Sequence, residues 1–269
     1  MTVLLLAFAV AAGVIGWIVG EPWLRQRRRE ALQRQALPAD WQARLRQQPL
    51  YRRLPRAFRG RLDRLVQVFI AEKEFIGCDG LEVDLGMRLT IAAQACLLLV
   101  NRPDRNFDRL HSILVYPDEF VVTGSHEDEH GIVTDGPRVL AGEAHEQHRI
   151  LLSWRDVRAR GQGYNVVIHE FAHYLDQDDG AVNGAPDPAA AAADRERWAL
   201  VLAAELDLLR ELADRGEPTL LDPYAAQDEG EFFAVASEAF FELPRELQAE
   251  RPALYRELAG FYRLDPALW

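Results

Sequence analysis

The chain has 269 residues, of which 49% are hydrophobic and 27% are charged, a composition that is typical of a globular protein and excludes an intrinsically disordered one. Its formal net charge is −11. We expect no direct binding of nucleic acid, because a domain that binds nucleic acid needs a basic face. The charge is uneven: residues 21–64 contain thirteen arginines and four acidic residues, so a segment of net charge +9 precedes a strongly acidic remainder.

The first twenty residues, MTVLLLAFAVAAGVIGWIVG, contain no charged side chain. A helix of about nineteen residues is about 28 Å long, close to the roughly 30 Å hydrocarbon thickness of a bilayer. The sequence RQRRR follows at once, and arginines beside an apolar span stay on the cytoplasmic side. The pattern predicts a transmembrane helix at 1–20 that anchors the protein in the inner membrane, with the rest in the cytoplasm. The alternatives are an atypical signal peptide and a buried helix; without an anchor the protein would be soluble and cytoplasmic.

The arginine-rich stretch after the leader has helical character. We interpret residues 21–48 as a basic juxtamembrane segment and residues 49–269 as one domain. The arginines form either a solvated face or a surface attracted to anionic lipid headgroups, which contributes about 1 kcal/mol per residue near the membrane.

The spacing of apolar residues predicts an α+β fold, because a short mixed sheet is followed by helices. Predicted helices lie at 56–74, 86–101, 164–178, 190–215, 228–243 and 251–262. Predicted strands lie at 112–122, at 131–144 with a Gly-Pro turn, and at 149–154.

The stretch NVVIHEFAHYLD, at 165–176, has the spacing of a metal-binding helix. Residues four apart lie above one another on one helix face, so His169 and His173 point towards a common position at the separation that a tetrahedral zinc ion needs. Glu170 is rotated by about 100° from His169, where it would miss the metal but could reach a water bound to it. The alternative is a half-buried helix whose histidines have ordinary hydrogen-bond partners.

A catalytic zinc site has three protein ligands and one open position, so a third ligand is required. Asp176 lies on the histidine face but one turn further along, which favours a supporting hydrogen bond over contact with the metal. Glu231 and Glu238, in the apolar stretch EGEFFAVASEAFF, are better candidates, because buried carboxylates are costly unless they are paired or bind metal. One of them would be the ligand and the other a supporting residue. Further candidates are the loop histidines His126, His130, His145 and His148.

Five separated stretches of the chain are informative together: ILVYPDEFVV, ILLSW, VIHEFAHYLDQDDG, LDPYAAQDEGEFFAVASEAFF and FYRLDP. They resemble the Mlc titration factor A family of zinc metallopeptidases, and the resemblance extends from about residue 50 to the end. It implies a zincin-like domain of the gluzincin type, similar in its catalytic core to anthrax lethal factor. Such a domain has a small mixed sheet and a mostly helical C-terminal half.

The resemblance also implies the roles of the site residues. One catalytic Zn2+ is held by the two histidines and by Glu231, which leaves Glu238 as a supporting residue. Glu170 is the general base, and Tyr224 donates a hydrogen bond to the oxyanion. The chain departs from the family in its hydrophobic leader and in His148-Arg149, where a Gly-Pro pair is expected.

Hydrolysis of peptide bonds in a peptide or protein substrate is the activity that the resemblance implies. We expect the substrate to add as a strand beside the predicted strand 149–154. The alternative function is a metal-stabilised binding protein that sequesters a transcriptional repressor. The founding members of the family bind a glucose-responsive repressor and thereby regulate sugar uptake, so such a repressor is a second expected partner.

Overall fold

A computed structural model describes most of the chain. The described residues are 20–102, 106–118, 120–127, 133–140, 142–145, 148–159, 161–177, 184 and 192–269. The predicted transmembrane helix at 1–20 therefore lies outside the described residues, apart from Gly20. Within the described ranges, no helix is both long enough and apolar enough to cross a membrane.

The described chain is mostly helical and confirms the α+β class. The helices are α1 (20–33), α2 (Ala39–Leu45), α3 (Pro49–Arg53), α4 (Arg56–Glu72), α5 (Leu85–Leu97), α6 (Trp154–Arg158), α7 (Val166–Asp176), α8 (Ala192–Asp214), α9 (Glu229–Glu242), α10 (Pro244–Glu250) and α11 (Pro252–Tyr262). The strands are β1 (Glu74–Gly77), β2 (Ser112–Tyr116), β3 (Phe120–Glu127), β4 (Val133–Leu140), β5 (Gly142–His145) and β6 (Arg149–Ser153). Two short 3-10 helices cover Pro223–Ala226 and Pro266–Leu268.

The main sheet is small and mixed, with the strand order β1-β2-β6-β5. Strands β1, β2 and β6 are parallel, and Ile113 of β2 lies opposite Ile150 of β6. Strand β5 is antiparallel to β6 and forms one edge. The expectation that a peptide adds beside the strand at 149–154 is therefore wrong: β6 has hydrogen-bonded neighbours on both sides, so its backbone groups are already paired.

Two of the predicted strands differ from the observed ones. The predicted strand 112–122 is divided, because β2 ends at Tyr116, just before Pro117, and β3 belongs to a separate two-stranded sheet with β4. The predicted Gly-Pro turn is wrong. Strand β4 continues through Gly136 and Pro137, and Pro137 lies opposite Thr123 of β3. A proline is tolerated here because a two-stranded sheet consists of edge strands.

Helix α7 lies at the centre of the domain. It packs against α5 and α9 and against strands β5 and β6. The ring of Phe171, on α7, lies 5.8 Å from that of Phe69 on α4 and 4.8 Å from that of Phe107. Helices α5 and α9 are buried along most of their lengths. The polar residues of α7 are thus carried on a helix that the core holds on several sides.

The basic N-terminal segment is attached to the domain by a buried arginine. Arg29 on α1 is only 7% exposed, and its Nε and Nη2 donate to the two carboxylate oxygens of Glu72, each at 2.7 Å. Its Nη2 also donates to Asp108, at 2.6 Å. Paired hydrogen bonds from one guanidinium to a carboxylate are strong and geometrically specific. We call this arrangement of Arg29, Glu72 and Asp108 the Arg29 clamp.

Candidate metal centre

The histidine helix begins at a polar cap. The side chain of Asn165 accepts a hydrogen bond from the backbone N–H of Ile168 at 3.2 Å, which satisfies one of the free donors of the first turn of α7. Most of the helix is buried, whereas His169 and His173 are half-buried on the side that faces α9. The apolar residues therefore fix the helix in the core and leave the two imidazoles at a partly open face.

Helix α9 supplies the glutamate. Its first turn is capped by Asp228, whose carboxylate accepts the backbone N–H of Glu231 at 2.8 Å. The aromatic residues of α9 are buried and include Phe232, Phe233, Phe240 and Phe241. The cap and these rings place Glu231 at the start of a firmly packed helix, opposite the two histidines of α7.

Three side chains converge on one point and could hold a metal ion. His169 Nε2 lies 3.1 Å from His173 Nε2 and 3.1 Å from Glu231 Oε2, and His173 Nε2 lies 3.4 Å from Glu231 Oε1. A tetrahedral ion with bonds of about 2.0–2.2 Å keeps its ligand atoms about 3.3–3.5 Å apart. The observed separations are close to that value. Within the described ranges this is the one group of at least three His, Cys, Asp or Glu residues with such convergence.

The charges of His169 and Glu231 depend on each other and on their surroundings. Burial disfavours a charged His169, but contacts with Glu231 and Glu238 outweigh burial and raise the pKa of His169 well above its ordinary value. Burial likewise disfavours a charged Glu231, but hydrogen bonds from His169 and His173 hold the pKa of Glu231 well below its ordinary value. Three carboxylates, Glu170, Glu231 and Glu238, thus act on His169, and their negative charge would also favour a bound cation.

Glu238 contacts the side of His169 that faces away from the other candidate ligands. Its Oε1 lies 2.8 Å from His169 Nδ1, and its Oε2 accepts the backbone N–H of Asn165. Glu238 is 3% exposed. A carboxylate at Nδ1 fixes the tautomer of an imidazole and leaves Nε2 available for a metal. The supporting role of Glu238 stays a prediction, and this contact is the observation on which a test of it can be based.

The other predicted site residues lie at different distances from this point. Glu170 is 4% exposed, and its charge contributes to the raised pKa of His169. Tyr224 lies in the short 3-10 helix beside α9, is 43% exposed, and has its ring 6.4 Å from that of His169. Asp176, at the end of α7, is fully buried and accepts the backbone N–H of Gly184 at 2.8 Å.

The loop histidines do not join the convergent group in the part of the chain that is described. His148 is exposed and stacks on His111, with ring centroids 5.3 Å apart. The side chains of His126, His130 and His145 lie outside the described part of the structure.

Gly184 was not predicted as a site residue, yet it joins three elements around the candidate metal centre. Its N–H donates to Asp176 of α7, and its carbonyl oxygen accepts the indole N–H of Trp198 of α8 at 2.6 Å. A Cβ atom at Gly184 would lie 2.8 Å from the carbonyl oxygen of Glu229, two residues before Glu231. No sequence signal separates this glycine from others in turns, because the close approach involves residues distant in the chain.

We expect Gly184→Ala to destabilise the protein by about 1–3 kcal/mol more than Gly216→Ala, because only Gly184 is overpacked by a Cβ. Both glycines have a φ near +65°, so both variants carry the same cost of a left-handed backbone, but Gly216 has open space around it. Denaturant unfolding measures the difference. We also expect weaker metal binding in Gly184→Ala alone; equal losses of stability in the two variants would contradict the prediction.

One helix carries a histidine pair, a second carries a glutamate, and a buried glutamate lies next to the first histidine. This arrangement is typical of metallopeptidase-like proteins, and the chain belongs to that class. More particularly, the chain belongs to the family described as glucose-regulated metallo-peptidase M90, whose model matches residues 23–263. The resemblance to Mlc titration factor A is confirmed by the relatives that the chain matches.

Three relatives illustrate the extent of the similarity. The chain is 37% identical to the uncharacterized protein slr2042 of Synechocystis sp. over 270 residues, which cover 98% of each protein. It is 37% identical to Mlc titration factor A of Edwardsiella ictaluri over 77% of this chain and 80% of the relative. It is 35% identical to Mlc titration factor A of Yersinia pestis over 76% and 77% of the two chains. The Synechocystis match leaves only 2% of this chain uncovered and therefore includes most of residues 1–20.

Proposed function

We propose that this protein is a zinc-dependent peptidase. The observation that carries the proposal is the convergence of His169, His173 and Glu231 within zinc-binding separations, next to the buried Glu170. Two imidazole nitrogens and one carboxylate oxygen form a ligand set of catalytic zinc sites. Zinc bound there would supply a Lewis acid that lowers the pKa of a water molecule and polarises the scissile carbonyl.

In this proposal three residues of the chain have separate roles in hydrolysis. Glu170 accepts a proton from the attacking water and passes it to the leaving amine. Tyr224, whose ring lies near His169 and is partly exposed, donates a hydrogen bond from its hydroxyl to the developing oxyanion. Glu238 holds the ring of His169 through Nδ1. Each of these groups lies on α7, on α9 or on the 3-10 helix beside α9, which supports the proposed roles.

The substrate peptide is proposed to pair with β5. Among the described strands β5 has one hydrogen-bonded neighbour, β6, so its other edge offers backbone donors and acceptors to an extended chain. Strand β5 also packs against the metal-binding helix α7. A peptide on this edge would lie alongside the helix that carries His169 and Glu170.

Digestion of an unbiased peptide library tests the proposal. We expect protein loaded with one zinc ion per chain to generate new peptide termini, chelator treatment to abolish this cleavage, and added zinc to restore it. Metal content is measured in the same samples. A preparation that holds one zinc ion per chain and cleaves nothing in the library would contradict the peptidase proposal.

A second function, binding of a transcriptional repressor, is favoured by the names of the relatives. The curated relatives from Edwardsiella and Yersinia are called Mlc titration factor A. A metal-stabilised binding protein would bind a purified glucose-responsive repressor without cleaving it and would keep this affinity in the Glu170→Gln variant. Cleavage of the repressor by the wild type, and its loss in Glu170→Gln, would instead support the peptidase. Attachment to a membrane through 1–20 stays a prediction from the sequence.

A further inference from the structure

A chain of contacts among four polar residues connects α3 to the candidate metal ligand His169. It runs from Arg53 through Glu242 and Asn165 to Glu238, and Glu238 contacts the imidazole. Residues from three helices and one helix cap take part, and the two ends are more than a hundred positions apart in the sequence. These contacts indicate that residues which do not touch His169 also determine its position.

Glu238 makes the contact with His169 itself. Its carboxylate uses both oxygens, one towards His169 Nδ1 at 2.8 Å and the other towards the backbone N–H of Asn165. A carboxylate held at both oxygens cannot rotate without losing a hydrogen bond in a buried place, which is costly. The plane of the His169 ring is therefore tied to the position of the Asn165 peptide group.

Asn165 is completely buried. Its side-chain oxygen accepts the N–H of Ile168 at 3.2 Å, and its side-chain nitrogen donates to Glu242 Oε1 at 2.8 Å. An aspartate would supply the same cap acceptor but no donor for Glu242. The amide of Asn165 thus does two separate things: it caps α7, and it attaches the start of α7 to the end of α9.

At the end of α9, Glu242 contacts Arg53. Arg53 Nη2 lies 3.8 Å from Glu242 Oε2, and Arg53 Nη1 donates to the carbonyl oxygen of Glu242 at 3.2 Å. Arg53 also donates to the carbonyl oxygen of Phe241. A cation is favourable at a helix C-terminus, and here it also balances the carboxylate that accepts from Asn165.

We infer that Asn165 and Glu242 are positioning residues for the metal centre, which they influence through Glu238 and His169. The inference rests on the proposed metal site and extends it: the two residues touch no ligand atom that faces the metal. They hold α7 and α9 at the separation at which the two histidines and Glu231 converge. Loss of the Asn165–Glu242 hydrogen bond should therefore weaken metal binding without removing a ligand.

Asn165→Asp separates this role from helix capping. It keeps a cap acceptor and the backbone N–H towards Glu238, but it places a carboxylate oxygen against Glu242. We expect the affinity for Zn2+, measured by competition with a chromophoric chelator, to fall about 10–100-fold, as is usual when a residue behind a metal ligand is changed. We expect an altered visible absorption spectrum of the Co2+-loaded protein. Glu242→Ala, which removes the acceptor, should weaken Zn2+ binding in the same direction.

Asp84→Asn, at an exposed helix cap, is the control for the exchange itself. Asp84 caps α5 by accepting the backbone N–H of Met87 at 2.7 Å, so this variant makes the reverse exchange of carboxylate and amide at another helix cap. It should leave Zn2+ affinity and the Co2+ spectrum unchanged. Wild-type affinity and spectrum in both Asn165→Asp and Glu242→Ala would overturn the inference while leaving the metal site intact. A wild-type protein that binds no metal would overturn the proposed function as well. If Asn165→Asp does not fold, Glu242→Ala alone decides.

Discussion

Glu170→Gln should leave metal binding intact and reduce peptide hydrolysis at least about 100-fold, since a positioned general base contributes about 10²–10⁴-fold to the rate. Glutamine has nearly the same shape as glutamate, so the buried position on α7 stays filled. It cannot accept a proton from water at neutral pH. Turnover of a peptide substrate and the zinc content of the same preparation are the two measurements.

A suitable control for Glu170→Gln is Glu205→Gln, on α8. Glu205 is partly buried and lies 3.8 Å from Arg251, away from the metal residues in sequence and on a different helix. This variant makes the same chemical change and should hydrolyse peptides like the wild type. Unchanged turnover in Glu170→Gln, with one zinc ion bound, would exclude Glu170 as the base.

The second large effect is expected from the two glutamates of α9. Glu231→Ala should abolish stoichiometric metal binding, because it removes one of three ligands. Glu238→Ala should still bind metal but about 10–100-fold more weakly, because it removes only the partner of His169 Nδ1. Zinc per chain after dialysis, measured by mass spectrometry, separates the complete loss from the partial one.

The two variants are also controls for each other. Both remove a carboxylate from the same helix, and the two positions differ in which nitrogen of His169 they approach. The opposite order, with metal retained in Glu231→Ala and lost in Glu238→Ala, would assign the ligand role to Glu238. Thermal unfolding of both metal-free proteins shows whether either change damages the fold itself.

The long helices around the site could be predicted closely from the sequence. The predicted helices 164–178 and 228–243 differ from Val166–Asp176 and Glu229–Glu242 by at most two residues at each end. Their apolar residues recur at helical spacing, and a polar cap residue precedes each one, so the signals are local. Asparagine is a typical N-cap residue, so Asn165 marks the start of α7 in the sequence.

The short elements and the strand order could not be predicted in this way. Helix α10 and strand β1 contain seven and four residues, too few for a periodic pattern to stand out. The place of β6 between β2 and β5 depends on pairings between distant parts of the chain. For the same reason the expected site of peptide addition fell on an interior strand.

The candidate site likewise combines features that follow from the local sequence with features that depend on contacts between distant residues. The spacing of His169 and His173 follows from one helix, so it could be read directly from the sequence. The choice between Glu231 and Glu238 could not, because residue spacing left both open and only the family resemblance favoured Glu231. The contact between Asn165 and Glu242 spans 77 positions and depends on how α7 packs against α9. Such contacts leave no local pattern.

The Arg29 clamp limits how freely the domain can move relative to helix α1. A domain on a flexible tether samples a volume set by the length of the linker. Here helix α1 is fixed to α4 through Glu72 and to the loop before β2 through Asp108, so it acts as a rigid arm. If the chain before Gly20 is held at a surface, the fold sets the distance between the start of α1 and the candidate metal centre, which limits how far the site lies from that surface. Its accessible substrates would then be selected by distance as well as by sequence.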